Sequence, residues 1–316
     1  MDLNLSKKAI VVVGPTASGK TSLGVYICKK FNGEVISCDS MQIYKQMNIS
    51  TAKPTAEEMC GVKHHLIDFL SVSESYSVSD YCRDAREAFE DIVSRGKTPV
   101  FVGGTGLYID SFLSNTEFLE DAYSPEIRSE LIKELEDKGA EAMHRELSAV
   151  DPASAEKIHP NNTKRVLRAL EVFKATGTTI SRQAELSRTI ASDVEPLYIG
   201  ITYNNREKLY ERINKRVDIM INNGLIEEAR ELFSGEYSQT SVASIGCKEM
   251  KPYLDGEKSI EECVEKLKLN TRHYAKRQLT WFRRNEKINW FYPDMCSTDE
   301  LYNSVDLLIS KFLAGE

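Results

Sequence analysis

The chain has 316 residues, 41 lysines and arginines against 48 aspartates and glutamates, a formal charge of -7 and 41% hydrophobic residues. That length exceeds what one compact core usually fills, so one large domain with an insertion, or two domains, is expected. The composition is globular, no apolar run approaches the roughly 18 residues of a membrane span, and the acidic balance leaves room only for a local basic surface as a polyanion site.

The opening MDLNLSKKAIVVVGP lacks a signal-peptide layout, because its short apolar run leads directly into a glycine loop; a cytoplasmic protein is expected. Helical and strand signals then alternate as far as residue 115. AIVVVG (9–14), EVISCDS (34–40), HHLIDF (64–69) and TPVFVGG (98–104) read as strands. Between the last two, SVSDYCRDAREAFEDIVSRG (77–96) puts Val78, Tyr81, Cys82, Ala85, Phe89, Ile92 and Val93 on one helical face. Nearly all-apolar strands alternating with helices imply a parallel sheet covered on both sides, with ligands at the carboxyl ends of the strands.

From about 116 the strand signal gives way to helical segments: PEIRSELIKELEDKG, AEAMHRELSAV, DPASAEKIH and NTKRVLRALEVFKATG. Strand character returns at EPLYIGITY (195–203), helices fill the chain to about 285, and INWFYP (288–293) and TDELYNSVDLLISKFLAG supply a last strand and a closing helix. The reading is an α/β core with a P-loop-type parallel sheet, residues 1–115 and 196–316, interrupted by an all-helical insertion at 116–195.

The seven cysteines are odd in number and form no C-x-x-C pair, so reduced thiols, most of them packed as small hydrophobes, are expected. His64 and His65 are adjacent, and adjacent strand residues point to opposite faces, so a metal shared by the two is not expected.

The stretch GPTASGKT (14–21) matches G-x-x-x-x-G-K-[ST], follows a strand, and opens a helix whose Leu23, Ile27 and Phe31 share a face. Backbone amides around Gly14–Gly19 would surround phosphates, Lys20 would add a point charge, and the Thr21 hydroxyl would hold Mg²⁺. A nucleotide-hydrolysing P-loop protein usually has an Asp at the end of a neighbouring strand. Here TPVFVGG ends in glycines, and the nearest acid is Asp39, followed by SMQIY. Asp39 fits an organiser of Mg²⁺ or a general base, with turn capping as a third role. GGTGLY (103–108) is a second glycine turn that fails the dinucleotide fingerprint, and its Thr105 would face the same crevice.

SIEECVEKLKLNTRHYAKRQLTWFRRNEK opens with a capping box, Ser259 and Glu262. Val264, Leu267, Thr271, Tyr274, Gln278 and Trp281 form one stripe, and Lys268, Arg272, Lys276, Arg283 and Lys287 lie roughly opposite. Seven lysines or arginines and one acid between 268 and 287 point to a polyanion, with Tyr274, Trp281 and Phe282 near enough to stack. Lys164, Arg165 and Arg168 crowd one turn of the insertion. Two basic surfaces suggest a partner held between them, and a folded RNA fits better than a small metabolite.

GPTASGKT, ISCDSMQIYKQMNISTAKPT, HHLIDF, VGGTGLY, HPNNTKRVLRALEVF, IGCKEM and KRQLTWFRR, in that order, resemble the tRNA dimethylallyltransferase family, also called tRNA isopentenyltransferases, of bacterial type. The resemblance spans nearly the whole chain. It implies transfer of a dimethylallyl group from its diphosphate to the exocyclic amine of the adenosine 3′ of a tRNA anticodon, so the phosphate loop would hold a leaving diphosphate with Mg²⁺. By resemblance, Asp39 is the base, Thr105 and Arg216 stabilise the departing diphosphate, and Gly14, Pro15, Thr16, Ala17, Ser18, Gly19, Lys20 and Thr21 bind it, with Thr21 at the metal. The same likeness implies that Asp39, Ser40, Met41 and Gln42 contact the turned-out nucleotide and Arg128 the RNA. It assigns to the anticodon arm Lys164, Arg165, Val166, Leu167 and Arg168, then Gly246, Cys247 and Lys248, and finally Lys276, Arg277, Gln278 and Arg283, with the insertion closing over it. IGCKEM carries Cys247 where relatives commonly have tyrosine, and HPNNTKR has Asn162 where Asp is frequent, both on the RNA side. A monomer is expected. The competing readings are a P-loop small-molecule or nucleotide kinase, a non-catalytic RNA-binding NTPase switch, and an enzyme that prenylates free AMP.

Overall fold

The computed structural model describes residues 7–116, 124–189 and 192–316. Residues 1–6, which open the stretch read above for a leader, lie outside them. The chain divides into two compact units: residues 1–112 with 193–316, and residues 113–192. The sequence reading puts the insertion at 116–195; the return strand starts at Val194, one residue earlier than expected.

The first unit is built on a six-stranded sheet, β1 (Lys7–Val13), β2 (Gly33–Cys38), β3 (His64–His65), β4 (Thr98–Gly103), β5 (Val194–Ile201) and β6 (Asn289–Phe291), in the order β3-β2-β4-β1-β5-β6. Every pairing is parallel. β1 is central and its Ala9–Val13 are fully buried, which is why this strand is apolar without alternation. On one face Ile10 and Val12 pack with Leu23, Ile27, Val100 and the Leu301, Val305 and Ile309 stripe of the closing helix Thr298–Ala314. On the other, Tyr81 stacks on Tyr108 at 4.1 Å, and Phe112 meets Phe101 and Phe89 at 4.8 and 5.7 Å. These aromatics belong to helix Val78–Ser94, β4 and helix Gly106–Leu113. In the sequence only the glycine turn that opens this last helix is apparent.

β3 is two residues long, where HHLIDF suggested six. Leu66 and Asp68 have φ of +57° and +59°, a left-handed backbone that no strand tolerates. Beyond them the chain turns to pair with the DSMQIY segment: the amides of Asp68 and Phe69 donate to the carbonyls of Gln42 and Ile43. That segment is core as much as site, since Ile43, Tyr44 and Met47 are buried with Val217, Leu225, Ala229, Cys247 and Leu267.

The second unit is a helical cluster in its own right. Helices Pro125–Lys138, Ala140–Val150 and Thr163–Thr176 bury Leu131, Met143, Leu147, Val166, Leu167 and Leu170 together. A further helix, Ile180–Thr189, follows Gly177 and has no counterpart in the sequence reading, its polar ISRQAELSRT showing only a faint apolar period.

All seven cysteines are free; Cys28, Cys38, Cys247 and Cys263 are buried, Cys82 is half-buried, and Cys60 and Cys296 are exposed. Among the described residues no helix is long and apolar enough to cross a membrane.

Candidate active site

The register of the sheet assembles the site. Val13 pairs with Gly103, and Gly103 with Cys38, so three neighbouring strands end in one row. The residues that follow are Gly14, Gly104 with Thr105, and Asp39, and they emerge along one carboxyl edge. At this edge lies a cavity of about 500 Å³ lined among others by Thr16 to Ser22, Asp39 to Gln42, Ser50 to Ala52, Arg212, Arg216, Tyr274 and Gln278; Thr105, expected to face it, is not on that lining and meets it through Ser40.

The phosphate loop leaves β1 at Gly14, with φ of +151°; a Cβ there would lie 2.2 Å from the Ile201 carbonyl oxygen, so only glycine fits. Helix Lys20–Lys30 starts directly after the loop, with its unpaired amides facing the cradle. The loop is held from outside by helix Arg206–Asn222: Arg212 Nε donates to the Ala17 carbonyl at 3.0 Å, and Arg216 Nη1 to Thr16 Oγ1 at 3.2 Å. Lys20 Nζ donates to the Pro15 carbonyl at 2.7 Å. Burial of its ammonium end, then the charge of Arg216, lowers its pKa to about 7, with Asp39 acting weakly the other way. Burial likewise lowers Arg216. Two cations desolvated side by side form a site that gains by receiving an anion. Ser18 Oγ is buried in the loop without a partner.

Asp39 realises its capping role, since Oδ1 accepts from the amides of Met41 and Gln42 at 2.9 and 3.3 Å. Beside it, the Ser40 amide donates to Thr105 Oγ1 at 3.2 Å, and the Thr105 amide to the Cys38 carbonyl at 3.0 Å. Tyr274 shares this corner; its hydroxyl is raised by burial first and by the negative charge of Asp39 second. Gln42 Nε2 bonds the Thr51 and Ala52 carbonyls at 3.1 and 3.2 Å, tying the DSMQ turn to the STAKP stretch. That stretch is in turn seated on Glu228, whose carboxylate accepts from the amides of Asn48, Ile49 and Ser50 at 2.8, 2.7 and 2.8 Å.

Helix Ile260–Phe282 crosses the cavity, and here several expectations change. Lys268 is paired with Asp218 at 2.9 Å and Arg272 donates to Asn214 at 2.7 Å, so both brace this helix against Arg206–Asn222. Lys276, Arg277 and Arg283 are exposed. The three aromatics differ in what they offer a base. Phe282 is buried, Tyr274 lines the cavity, and Trp281 is covered by the Arg284 guanidinium at 4.1 Å while a Cβ on Gly106 would sit 2.2 Å from its ring. Gln278, assigned by resemblance to the RNA, is buried: Oε1 accepts from the Thr16 amide at 2.8 Å and Nε2 donates to the Gly104 carbonyl at 3.1 Å. Cys247 is also wholly buried, its thiol pushed up to about 11 by burial, so its side chain packs the core instead of meeting an RNA. Lys248, its neighbour, is exposed.

In the helical unit Lys164 and Arg165 are exposed, whereas Val166 and Leu167, grouped with them above, are core. Arg128 and Arg168 both approach Glu171, at 3.6 and 3.1 Å, a carboxylate only 1% exposed.

His64 lines the cavity and His65 faces away from it, as their alternation on a strand requires. His65, Glu34 and Asp91 are close enough together to hold a metal ion. Glu34, however, already receives Arg95 through two nitrogens at 2.6 and 2.7 Å, Lys97 at 2.7 Å and His65 at 2.7 Å. Arg95 first, then Lys97 and the hydrogen bond with His65, hold its carboxyl far below the usual range, and a structural ion-pair hub fits the group better than a metal.

Sheet order, glycine cradle and the acid at the next strand end together define a P-loop-type α/β protein whose cradle, beside a carboxylate, suits a phosphorylated ligand. Residues 42–285 match the IPP transferase family model, and the chain belongs to that family. It is 46% identical over 310 residues to the tRNA dimethylallyltransferase of Caldanaerobacter subterraneus subsp. tengcongensis, covering 97% of this chain and 98% of that one. To the same enzyme of Acetivibrio thermocellus it is 48% identical over 293 residues, 92% and 93% of the two chains. Among solved structures it is similar to the full-length tRNA isopentenylpyrophosphate transferase of Bacillus halodurans, with a TM-score of 0.71 and 44% identity over 98% of this chain and 96% of that one. A eukaryotic dimethylallyltransferase acting on tRNA gives a TM-score of 0.83 at 31% identity, over 98% and 80%.

Two contributors to this site, Arg212 and Glu228, escape the sequence reading, and two more have a different role in it. Arg212 has a signal there, since it precedes Arg216 by one helical turn in RINKR. Glu228 lies in an ordinary amphipathic helix, and nothing local marks it. Gln278, assigned there to the anticodon arm, and Tyr274, read as near enough to stack on a base, lie on the expected stripe; Gln278 holds the cradle and Tyr274 lines the cavity.

Proposed function

We propose that this chain transfers the dimethylallyl group of dimethylallyl diphosphate to the N6 amine of the adenosine 3′ of the anticodon in tRNA. The observation that carries the reading is one cavity in which a phosphate cradle with two desolvated cations, Lys20 and Arg216, adjoins Asp39 and the DSMQ turn. A kinase of this fold would want an acid where β4 ends in Gly103 and Gly104.

In the reaction a bond forms between N6 and the allylic carbon as the bond from that carbon to the diphosphate oxygen breaks. An adenine amine is a weak nucleophile, and its proton passes to the Asp39 carboxylate. The Met41 and Gln42 amides on Oδ1 fix that carboxylate in place. Charge building on the departing diphosphate is met by the loop amides, Lys20, Arg216 and Thr105, all fixed in advance by the hydrogen bonds described above. The target base must leave its stack, at a cost of a few kcal/mol, to enter the cavity. Lys164 and Arg165 on the helical unit, and Lys248, Lys276, Arg277 and Arg283 on the sheet unit, are the exposed cations suited to the anticodon arm. Arg128 and Arg168 would act from beside Glu171.

Mg²⁺ is implied by the loop motif, and the residues present fit it. Mg²⁺ keeps several waters and takes one or two protein ligands together with substrate phosphates, and Thr21 on the cavity wall, with Ser18 Oγ unpartnered nearby in the loop, offers such a hard-oxygen set. Thr21 would hold the ion, which would supply charge neutralisation to the diphosphate. We read the enzyme as cytoplasmic and monomeric.

Incubation with labelled dimethylallyl diphosphate, unmodified tRNA, AMP and ATP in separate arms tests the reading. Label is expected in tRNA alone. Label in AMP, or phosphoryl transfer from ATP without RNA, would replace it.

A further inference from the structure

The geometry points to Gln278 as a positioning residue that ties the leaving-group side of the site together through one buried amide. This rests on the transferase reading above. Gln278 is 5% exposed, and its side chain reaches both glycine turns: Oε1 takes the Thr16 amide of the phosphate loop, and Nε2 gives to the Gly104 carbonyl. Each turn carries a group assigned to the departing diphosphate. Thr16 Oγ1 is where Arg216 is anchored, and Thr105 follows Gly104 directly. A single carboxamide therefore sets the separation of Arg216 from Thr105 across the cradle.

The identity of both partners follows from this bridge. A Cβ on Gly104 would lie 2.0 Å from Gln278 Nε2, so the glycine makes room for the amide. Glutamate could accept from Thr16 but could not donate to Gly104, and a shorter asparagine would not span the two turns. Only an uncharged group with a donor and an acceptor at this length satisfies both ends. Gln278 shares its helix with Lys276 and Arg277, both exposed and Arg277 also on the cavity lining, so an RNA that contacts them bears on the same rod that holds the cradle.

The test uses the full chain. Gln278→Met keeps the volume and removes both hydrogen bonds, and Gln278→Glu removes only the donation to Gly104. With tRNA and dimethylallyl diphosphate, kcat is expected to fall on the order of 10- to 100-fold in Gln278→Met, the loss typical of misplacing a catalytic group by about an ångström. Gln278→Glu should fall too, and tRNA Kd should stay within about twofold. Because the residue acts through Thr105, Thr105→Val should cost clearly less in the Gln278→Met background than in the wild type, whereas a merely structural role would leave the two losses additive. Gly104→Ala, which attacks the bridge from its other end, should reproduce the kcat loss and serves if Gln278→Met does not fold. Unchanged kcat, additive losses, or a weakened tRNA Kd with kcat intact would overturn the assignment, the last making Gln278 an RNA contact. Calorimetry with Mg²⁺ and inorganic pyrophosphate keeps the two readings apart. A wild type that binds pyrophosphate but prenylates no tRNA faults the transferase reading, and the Gln278 variants are then judged on pyrophosphate affinity, which must weaken.

Discussion

Removing the Glu228 carboxylate should loosen the wall of the active-site cavity from a distance. The three amides it receives, at 2.7 to 2.8 Å, belong to consecutive residues, Asn48, Ile49 and Ser50, of the stretch that continues into Thr51, Ala52 and Pro54 on the cavity lining. Hydrogen bonds to a charged acceptor contribute about 1.5–3 kcal/mol each. In Glu228→Ala water can re-satisfy the exposed Asn48, and partly Ile49, but Ser50 is buried, so a net loss of about 2–4 kcal/mol is expected. At about 2–4 °C per kcal/mol for a unit of this size, that lowers Tm by roughly 4–16 °C. Glu228→Gln should fall between, because one amide oxygen serves two of the donors while its NH₂ confronts the third. Calorimetry gives the melting shift, and steady-state kinetics should show a raised KM for tRNA, since Gln42 is bonded to the displaced carbonyls. An alanine variant melting within a degree of wild type with KM unchanged would refute this account of how the wall is held.

Asp39→Asn keeps the Oδ1 acceptor for Met41 and Gln42 and removes the base, so kcat should drop by roughly 10²- to 10⁴-fold with tRNA affinity within a few-fold; near wild-type turnover would end its assignment as base. Lys20, with a pKa of about 7, is largely neutral above that pH in the free enzyme, and a bound diphosphate favours its charged form. Donor binding therefore takes up a proton above pH 7, and affinity should weaken by up to about tenfold per pH unit there, a slope that Lys20→Arg abolishes. With the folded-state value depressed, the unfolded chain holds more protons between pH 7 and the ordinary lysine value of 10.5, so this group's unfavourable effect on the donor-free fold fades as pH rises through that window. A donor KM flat from pH 7 to 9 would contradict it. Neutralising both Lys276 and Arg277 should reduce the salt dependence of tRNA binding, by a slope of roughly 0.7–0.9 for each phosphate that is no longer neutralised; an unchanged slope would put the RNA elsewhere.

What is legible in advance follows from local rules. Apolar runs locate five of the strands to within a few residues; for β1, β2 and β4 the reason is that a strand buried on both faces has no choice of composition. HHLIDF misleads, since its apolar content is real but two of its residues turn left-handed to reach the DSMQIY segment, a demand set by the rest of the fold. The cradle is legible because phosphate binding fixes glycine and lysine positions within eight residues. The inward placement of Gln278, Trp281 and Cys247 is not, because helical periodicity separates faces without saying which neighbour each face meets. Lys268 and Arg272 count as free charge in the sequence for the same reason: Asp218 and Asn214 lie more than about fifty residues away along the chain.

The distribution of thiols has a practical corollary. Burial lifts Cys28, Cys38 and Cys82 to about 12 and Cys247 to about 11, leaving these sulfurs unreactive at neutral pH, while Cys60 and Cys296 are open to solvent. Cys60 comes two positions after Glu58, which borders the cavity. A maleimide fluorophore added to the unaltered polypeptide would thus settle at these two places, one of them two residues along the chain from the cavity lining, giving an optical signal of ligand arrival without engineering a single codon.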